Sequence, residues 1–139
     1  MTEVLAAADA RVATDPKQIA RLRVERAHQA LIGLSHWIQA NPELNFQETL
    51  AAGWLIEWLE KAGFKVDRNV AGLETAFIGR FGPGPLKVAI IAEYDALPEV
   101  GHACGHNIIS ACAIGAGIAL AAVADQLGME VSVVGTPAE

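Results

Sequence analysis

A chain of 139 residues suffices for one domain, which at that size buries roughly two thirds of its unfolded surface. Its apolar fraction of 53% predicts elements buried on both faces, as in layered α/β proteins. A net charge of −6, with only 10 basic residues, excludes the clustered Lys and Arg of a nucleic-acid binder. Arg21, Arg23 and Arg26 read instead as the solvated face of a helix.

Residues 1–14 carry an acid at Glu3 and lack a basic start followed by an apolar run, so no secretory leader is expected. They are read as a disordered segment ahead of a domain at 15–139. Cys104 and Cys112 form no secreted cysteine framework, and a cytoplasmic address is expected. Asp15-Pro16-Lys17-Gln18 marks a helix start, with an Asp cap, Pro in the first turn and Gln three residues after the cap. Leu22, Ala27, Ala30, Leu31, Leu34 and Ile38 recur at helical spacing until Asn41-Pro42. His28 and His36 on this helix read as structural. Asn45 with Glu48 predicts a second helix, with Leu50, Trp54, Leu55, Trp58 and Leu59 buried and Gly63 as its left-handed stop.

Strand patterns follow at 64–70 and 75–81, closed by Gly82-Pro83-Gly84-Pro85. Val88 to Ala92 is an uninterrupted apolar run, the pattern of a central strand buried on both faces. A loop from Tyr94 to His106 leads into an apolar helix at 107–127, where Cys112 reads as inert packing and Gly128 as the stop. Its uncharged stretch from Ile108 to Val123 is short for a membrane span of about 20 residues and lacks aromatic or basic anchors. A helix so apolar needs cover on nearly all sides. Val131 to Val134 is a last buried strand.

This order predicts an α/β sheet flanked by helices, in which ligands gather beyond the carboxyl ends of the strands. Glu93 to Asp95 and Glu139 fall at such ends, and His102 to Asn107 lies on the loop entering the intervening helix. In Gly101-His102-Ala103-Cys104-Gly105-His106-Asn107, a thiolate and an imidazole two residues apart can reach one metal if Gly105 turns sharply. The N-terminus of the following helix favours thiolate at Cys104. This ligand mix suits zinc or manganese. Asp95 could orient a metal-bound histidine, and Glu139 could deprotonate a water. The spacing of Cys104 and Cys112 is not that of a C-x-x-C redox pair.

The motifs Ala92-Glu93-Tyr94-Asp95-Ala96-Leu97-Pro98, His102-Ala103-Cys104-Gly105-His106-Asn107 and Gly135-Thr136-Pro137-Ala138-Glu139 together resemble the aminoacylase/carboxypeptidase metallopeptidases, peptidase family M20. The likeness is to the amidohydrolase branch with Cys in the metal site, and most to aminoacylase-like dipeptidases. His36-Trp37, Asn41-Pro42-Glu43-Leu44, Phe46 and Glu48 resemble the family's N-terminal helix pair. The resemblance implies the N-terminal part of a di-metal exopeptidase-like catalytic domain. It implies Cys104 as the thiolate bridging two divalent ions (Zn or Mn), His106 as a ligand, and Asp95 as support. Glu139 matches the general base, first of a Glu-Glu pair. Glu93 stands where other branches place a histidine ligand, and His102 falls within the motif with no role assigned. The expected activity is hydrolysis of an amide in a dipeptide, an N-acyl amino acid or an aminobenzoyl-glutamate-like substrate. The complete enzyme is expected to be a homodimer joined through a lid domain. The second Glu, further histidines and that lid are expected downstream of Glu139. The alternative expectation is an inactive fragment or pseudoenzyme acting through association.

Overall fold

The computed structural model describes residues 14–139, so the segment expected to be disordered lies, apart from Thr14, outside the described residues. Helix α1 (Pro16–Ala40) starts as the sequence predicts: Asp15 accepts from the Lys17 N–H at 3.2 Å, and Pro16 occupies the first turn. Asn41 ends it, and its side-chain amide donates to the Trp37 carbonyl.

Helix α2 (Thr49–Lys61) begins later than expected and by a different device. Asn45 lies outside it and is exposed. The N–H groups of Leu50 and Ala51 and the Thr49 hydroxyl donate to the Glu43 carboxylate at 2.9 to 3.1 Å. An acid from the preceding loop thus satisfies the orphan donors of the first turn. Leu55 and Leu59 are fully buried, each side chain contributing about 1.5–3 kcal/mol of transfer free energy. Trp54 and Trp58 pack half-buried against the core as expected, and Trp54 meets Trp37 with ring centroids 6.1 Å apart.

The sheet comprises β1 (Lys65–Arg68), β2 (Phe77–Phe81), β3 (Leu86–Glu93) and β4 (Met129–Thr136), in the order β1-β2-β4-β3. The pairs β1/β2 and β2/β4 are antiparallel; β3/β4 is parallel. Parallel neighbours need a long crossover. Helix α3 (His106–Ala121) and the short α4 (Ala124–Leu127) supply it. The expected single helix to Leu127 is broken around Ala122 and Val123, and Gly128 (φ 62°) closes the second piece.

Three expectations of burial need correction. Leu50, expected on the buried face of α2, sits in its first turn and is 49% exposed. Among the described residues the apolar run in β3 is not central: β3 pairs with β4 alone, and Ile91 is 48% exposed. Along β4, Met129, Val131, Val133 and Gly135 are buried while the alternate residues are half-buried, so the helices cover one face of the sheet among the described residues. An apolar run reports what a strand can bury, whereas layer order is decided by its pairing partners. Helix α3 is likewise covered on part of its circumference. Ile108 (58% exposed), Ile109, Cys112 and Ala116 lie open, so Cys112 is not packing. Its buried side approaches β4 closely: a Cβ on Gly117 would stand 2.7 Å from a Val133 methyl. No helix of the described residues is long and apolar enough to cross a membrane.

Candidate metal centre

The carboxyl ends of the parallel pair and the start of the crossover helix meet at one place. Strand β3 ends at Glu93, paired with Thr136 of β4, so Glu93 and the segment carrying Glu139 leave the sheet side by side. Gly105 (φ 82°) turns the chain into α3 in a left-handed conformation that favours glycine, and His106 is the first helical residue.

His106 is buried, and its Nδ1 lies 2.8 Å from Asp95 Oδ1 and 3.0 Å from the Asp95 backbone carbonyl. A carbonyl oxygen only accepts, so Nδ1 carries the proton and donates, which leaves the lone pair of the neutral ring on Nε2. Nε2 faces Glu93 Oε2 at 3.6 Å and Glu139 Oε2 at 3.9 Å, too far for hydrogen bonds. One ligand atom from each of Glu93, His106 and Glu139 lies within 4.8 Å of the others. An oriented imidazole lone pair facing two carboxylates fits a divalent cation.

Behind the cluster, Tyr94 is fully buried, donates to the Thr75 carbonyl at 2.6 Å and stacks on Phe77. Burial first, then the charges of Glu48 and Asp95, push its phenol far above the ordinary range. In the unfolded chain it ionises near its usual value, so its contribution to stability is complete below about pH 10 and declines above it. Tyr94→Phe is expected to lower stability at pH 7 by about 1–3 kcal/mol through the unpaired carbonyl. It should also flatten the alkaline decline, as read by urea unfolding at pH 7 and pH 11.

No protein-family model matches the chain. It is 40% identical over 138 residues to the mouse (Mus musculus) protein named Xaa-Arg dipeptidase, a match covering 88% of this chain and 32% of that protein. It is 35% identical over 122 residues to a component of the p-aminobenzoyl-glutamate hydrolase of Escherichia coli, covering 76% of this chain and 25% of that one. Among solved structures, it overlays a Bacillus subtilis dinuclear metal-binding peptidase of the M20 family with a TM-score of 0.72 and 30% identity. That match covers 83% of this chain and 36% of that one. The chain is a homologue of the M20 peptidases. It spans about a third, or less, of the length of these relatives.

Of the residues that the M20 resemblance singles out, the structure brings Asp95, His106 and Glu139 together and adds Glu93, whose role the sequence left open. Its place at the end of the strand preceding the Asp95 loop is the signal that could have found it. Cys104 is exposed and its sulfur is not among the converging ligand atoms. His102 is half-buried, and neither ring nitrogen has a hydrogen-bond partner among the described residues. Burial holds its ring below the ordinary histidine value and His106 adds to this. The Ile38 backbone and Asp95 pull the other way, although no hydrogen bond of normal geometry reaches Ile38. Asn107 anchors the helix start, its amide donating to the Ser35 hydroxyl at 3.0 Å and to the Ser35 carbonyl.

Proposed function

We propose that this protein is a metal-dependent amidohydrolase. Its substrates would be dipeptides, N-acyl amino acids or aminobenzoyl-glutamate-like amides. The names of its relatives support that substrate class. The carrying observation is the His106 ring, held through Nδ1 by Asp95 so that Nε2 faces two carboxylates. In this reading His106 and Glu93 are donors for a divalent ion, and Cys104 is the thiolate donor for a two-ion centre of zinc or manganese. Bound ions supply Lewis-acid polarisation of the scissile carbonyl and make water more acidic.

Glu139, exposed enough to meet substrate, takes a proton from the attacking water as its oxygen bonds to the carbonyl carbon. The C–N bond then breaks, and Glu139 returns that proton to the leaving amine. Asp95 keeps His106 in one tautomer throughout. A cytoplasmic address and a homodimeric complete enzyme belong to the same proposal.

The test has two parts. Calorimetric titration of zinc or manganese into the protein is expected to show saturable binding. Free amine should be released from dipeptides or acyl amino acids by the protein with its natural continuation, and release should stop on chelation. Absence of saturable divalent binding, or hydrolysis indifferent to chelation, rules the reading out.

A further inference from the structure

We infer that Glu48 is a positioning residue for Glu139, acting through the backbone of Ala138. Glu48 is fully buried, which costs a carboxylate several kcal/mol unless its lone pairs are met. Its Oε1 accepts from the Phe46 N–H at 2.9 Å and the Ala138 N–H at 3.1 Å, and its Oε2 accepts from the Thr75 hydroxyl at 2.9 Å. Capping of α2 does not account for this burial, because Glu43 already satisfies the first-turn donors. Glu48 precedes the first residue of α2, where the helix dipole favours a negative charge, and its reach is directed away from the helix to a segment 90 residues on.

What it holds there is strained. Ala138 has φ 57°, a left-handed conformation that costs a residue with a Cβ about 1–2 kcal/mol. Such a conformation persists only where the surroundings over-determine it. That turn after Pro137 brings the Glu139 carboxylate to 3.9 Å from His106 Nε2. The Glu139 side chain is 61% exposed, so its place in the cluster depends on the path of its backbone. Glu48 therefore converts the start of α2 into a clamp on the cluster's most exposed member.

The inference rests on the reading of Glu139 as the proton acceptor beside a divalent centre, and the experiment separates the two. Amide hydrogen exchange of Ala138 is followed by NMR in the metal-free protein for wild type, Glu48→Ala, Glu48→Gln and Glu43→Ala. Zinc affinity, and amide hydrolysis by the protein with its natural continuation, are then measured for each. The Ala138 amide is expected to lose protection in Glu48→Ala, to keep it in Glu43→Ala, and to recover most of it in Glu48→Gln, which retains an oxygen acceptor. Zinc affinity should be kept in Glu48→Ala, because the donors His106 and Glu93 remain, while kcat for amide hydrolysis falls about a hundredfold with KM little changed, as for a displaced proton acceptor.

Ala138→Gly serves if Glu48→Ala does not fold. Glycine adopts φ 57° without strain, so stability and hydrolysis should hold. Glu48→Ala made in that background should fold, leave the amide at position 138 unprotected and lose less than about a hundredfold in kcat, a rescue that a merely structural role would not produce. Ala138 protection in Glu48→Ala equal to that in Glu43→Ala would overturn the inference. So would a kcat in Glu48→Ala no lower than in Glu43→Ala. A wild-type protein that binds no divalent ion defeats the metal reading instead, while exchange at Ala138 still judges the clamp.

Discussion

His106→Ala is expected to weaken divalent-ion binding by on the order of a hundredfold or more. Structural zinc sites yield about 10–16 kcal/mol from four ligands, which is about 3 kcal/mol for each. His106 supplies the only nitrogen of the converging group, and its ring is fixed before any ion arrives. Its removal leaves two carboxylates without an organising centre. Asp95→Asn should cost less, about tenfold, because an amide oxygen can still accept from Nδ1 while the charge is lost. Cys104→Ala separates the two sources of the site. If Cys104 is the thiolate bridging two ions, as the M20 resemblance implies, the variant loses part of the total stoichiometry and keeps a weakened binding that depends on His106. Zinc calorimetry at pH 7, with circular dichroism to confirm folding, reads all three. Wild-type affinity in His106→Ala would remove the cluster from consideration as a metal centre.

Gly135→Val is expected to destabilise the protein by about 3 kcal/mol or more, at the upper end of overpacking effects. Gly135 sits on β4 directly opposite Phe77 of β2, and a Cβ there would stand 2.2 to 2.5 Å from three carbons of the Phe77 ring. The ring cannot move aside, being fully buried and stacked on Tyr94 with centroids 5.9 Å apart. Against a total stability of about 5–15 kcal/mol, such a loss is large. Gly33→Ala is the counterpart. Nothing lies within 4 Å of a Cβ at Gly33, and replacing an interior helical glycine should stabilise by about 0.5–1 kcal/mol. Urea unfolding of both variants is the measurement. A Gly135→Val protein as stable as wild type would mean that the β2/β4 register is not as described.

The contrast between α1 and α2 shows where sequence reading reaches. Helix α1 carries its own punctuation, Asp15-Pro16 before it and Asn41 after, and both ends are legible. Helix α2 is capped by Glu43, several residues upstream, so a search for a cap just before the apolar face settles on Asn45. The metal cluster was legible in so far as its members stand beside recognisable motifs. The Asp95–His106 bond spans 11 residues and joins two of them. Glu48 was not legible as a clamp, because its partners Thr75 and Ala138 lie 27 and 90 residues away and only the sheet brings them together. The edge position of β3 was missed for a related reason. Residues 88–92 state how much a strand can bury, and strand order is a property of the whole sheet.

That edge position has a consequence for how the protein behaves in the tube. The eight residues of β3 pair with β4 on one side only among the described residues, and the other side presents backbone donors and acceptors in a row. Its single lysine, Lys87, is drawn onto Glu130 of β4, and the strand contains neither proline nor any other cation to discourage a visitor. On the uncovered face, Ile78, Val134 and Ile91 line up across three strands. A second molecule could extend the sheet and cover that row in one docking event. Light scattering that rises steeply with protein concentration, and is suppressed by Ile91→Lys, is the behaviour such an edge should produce.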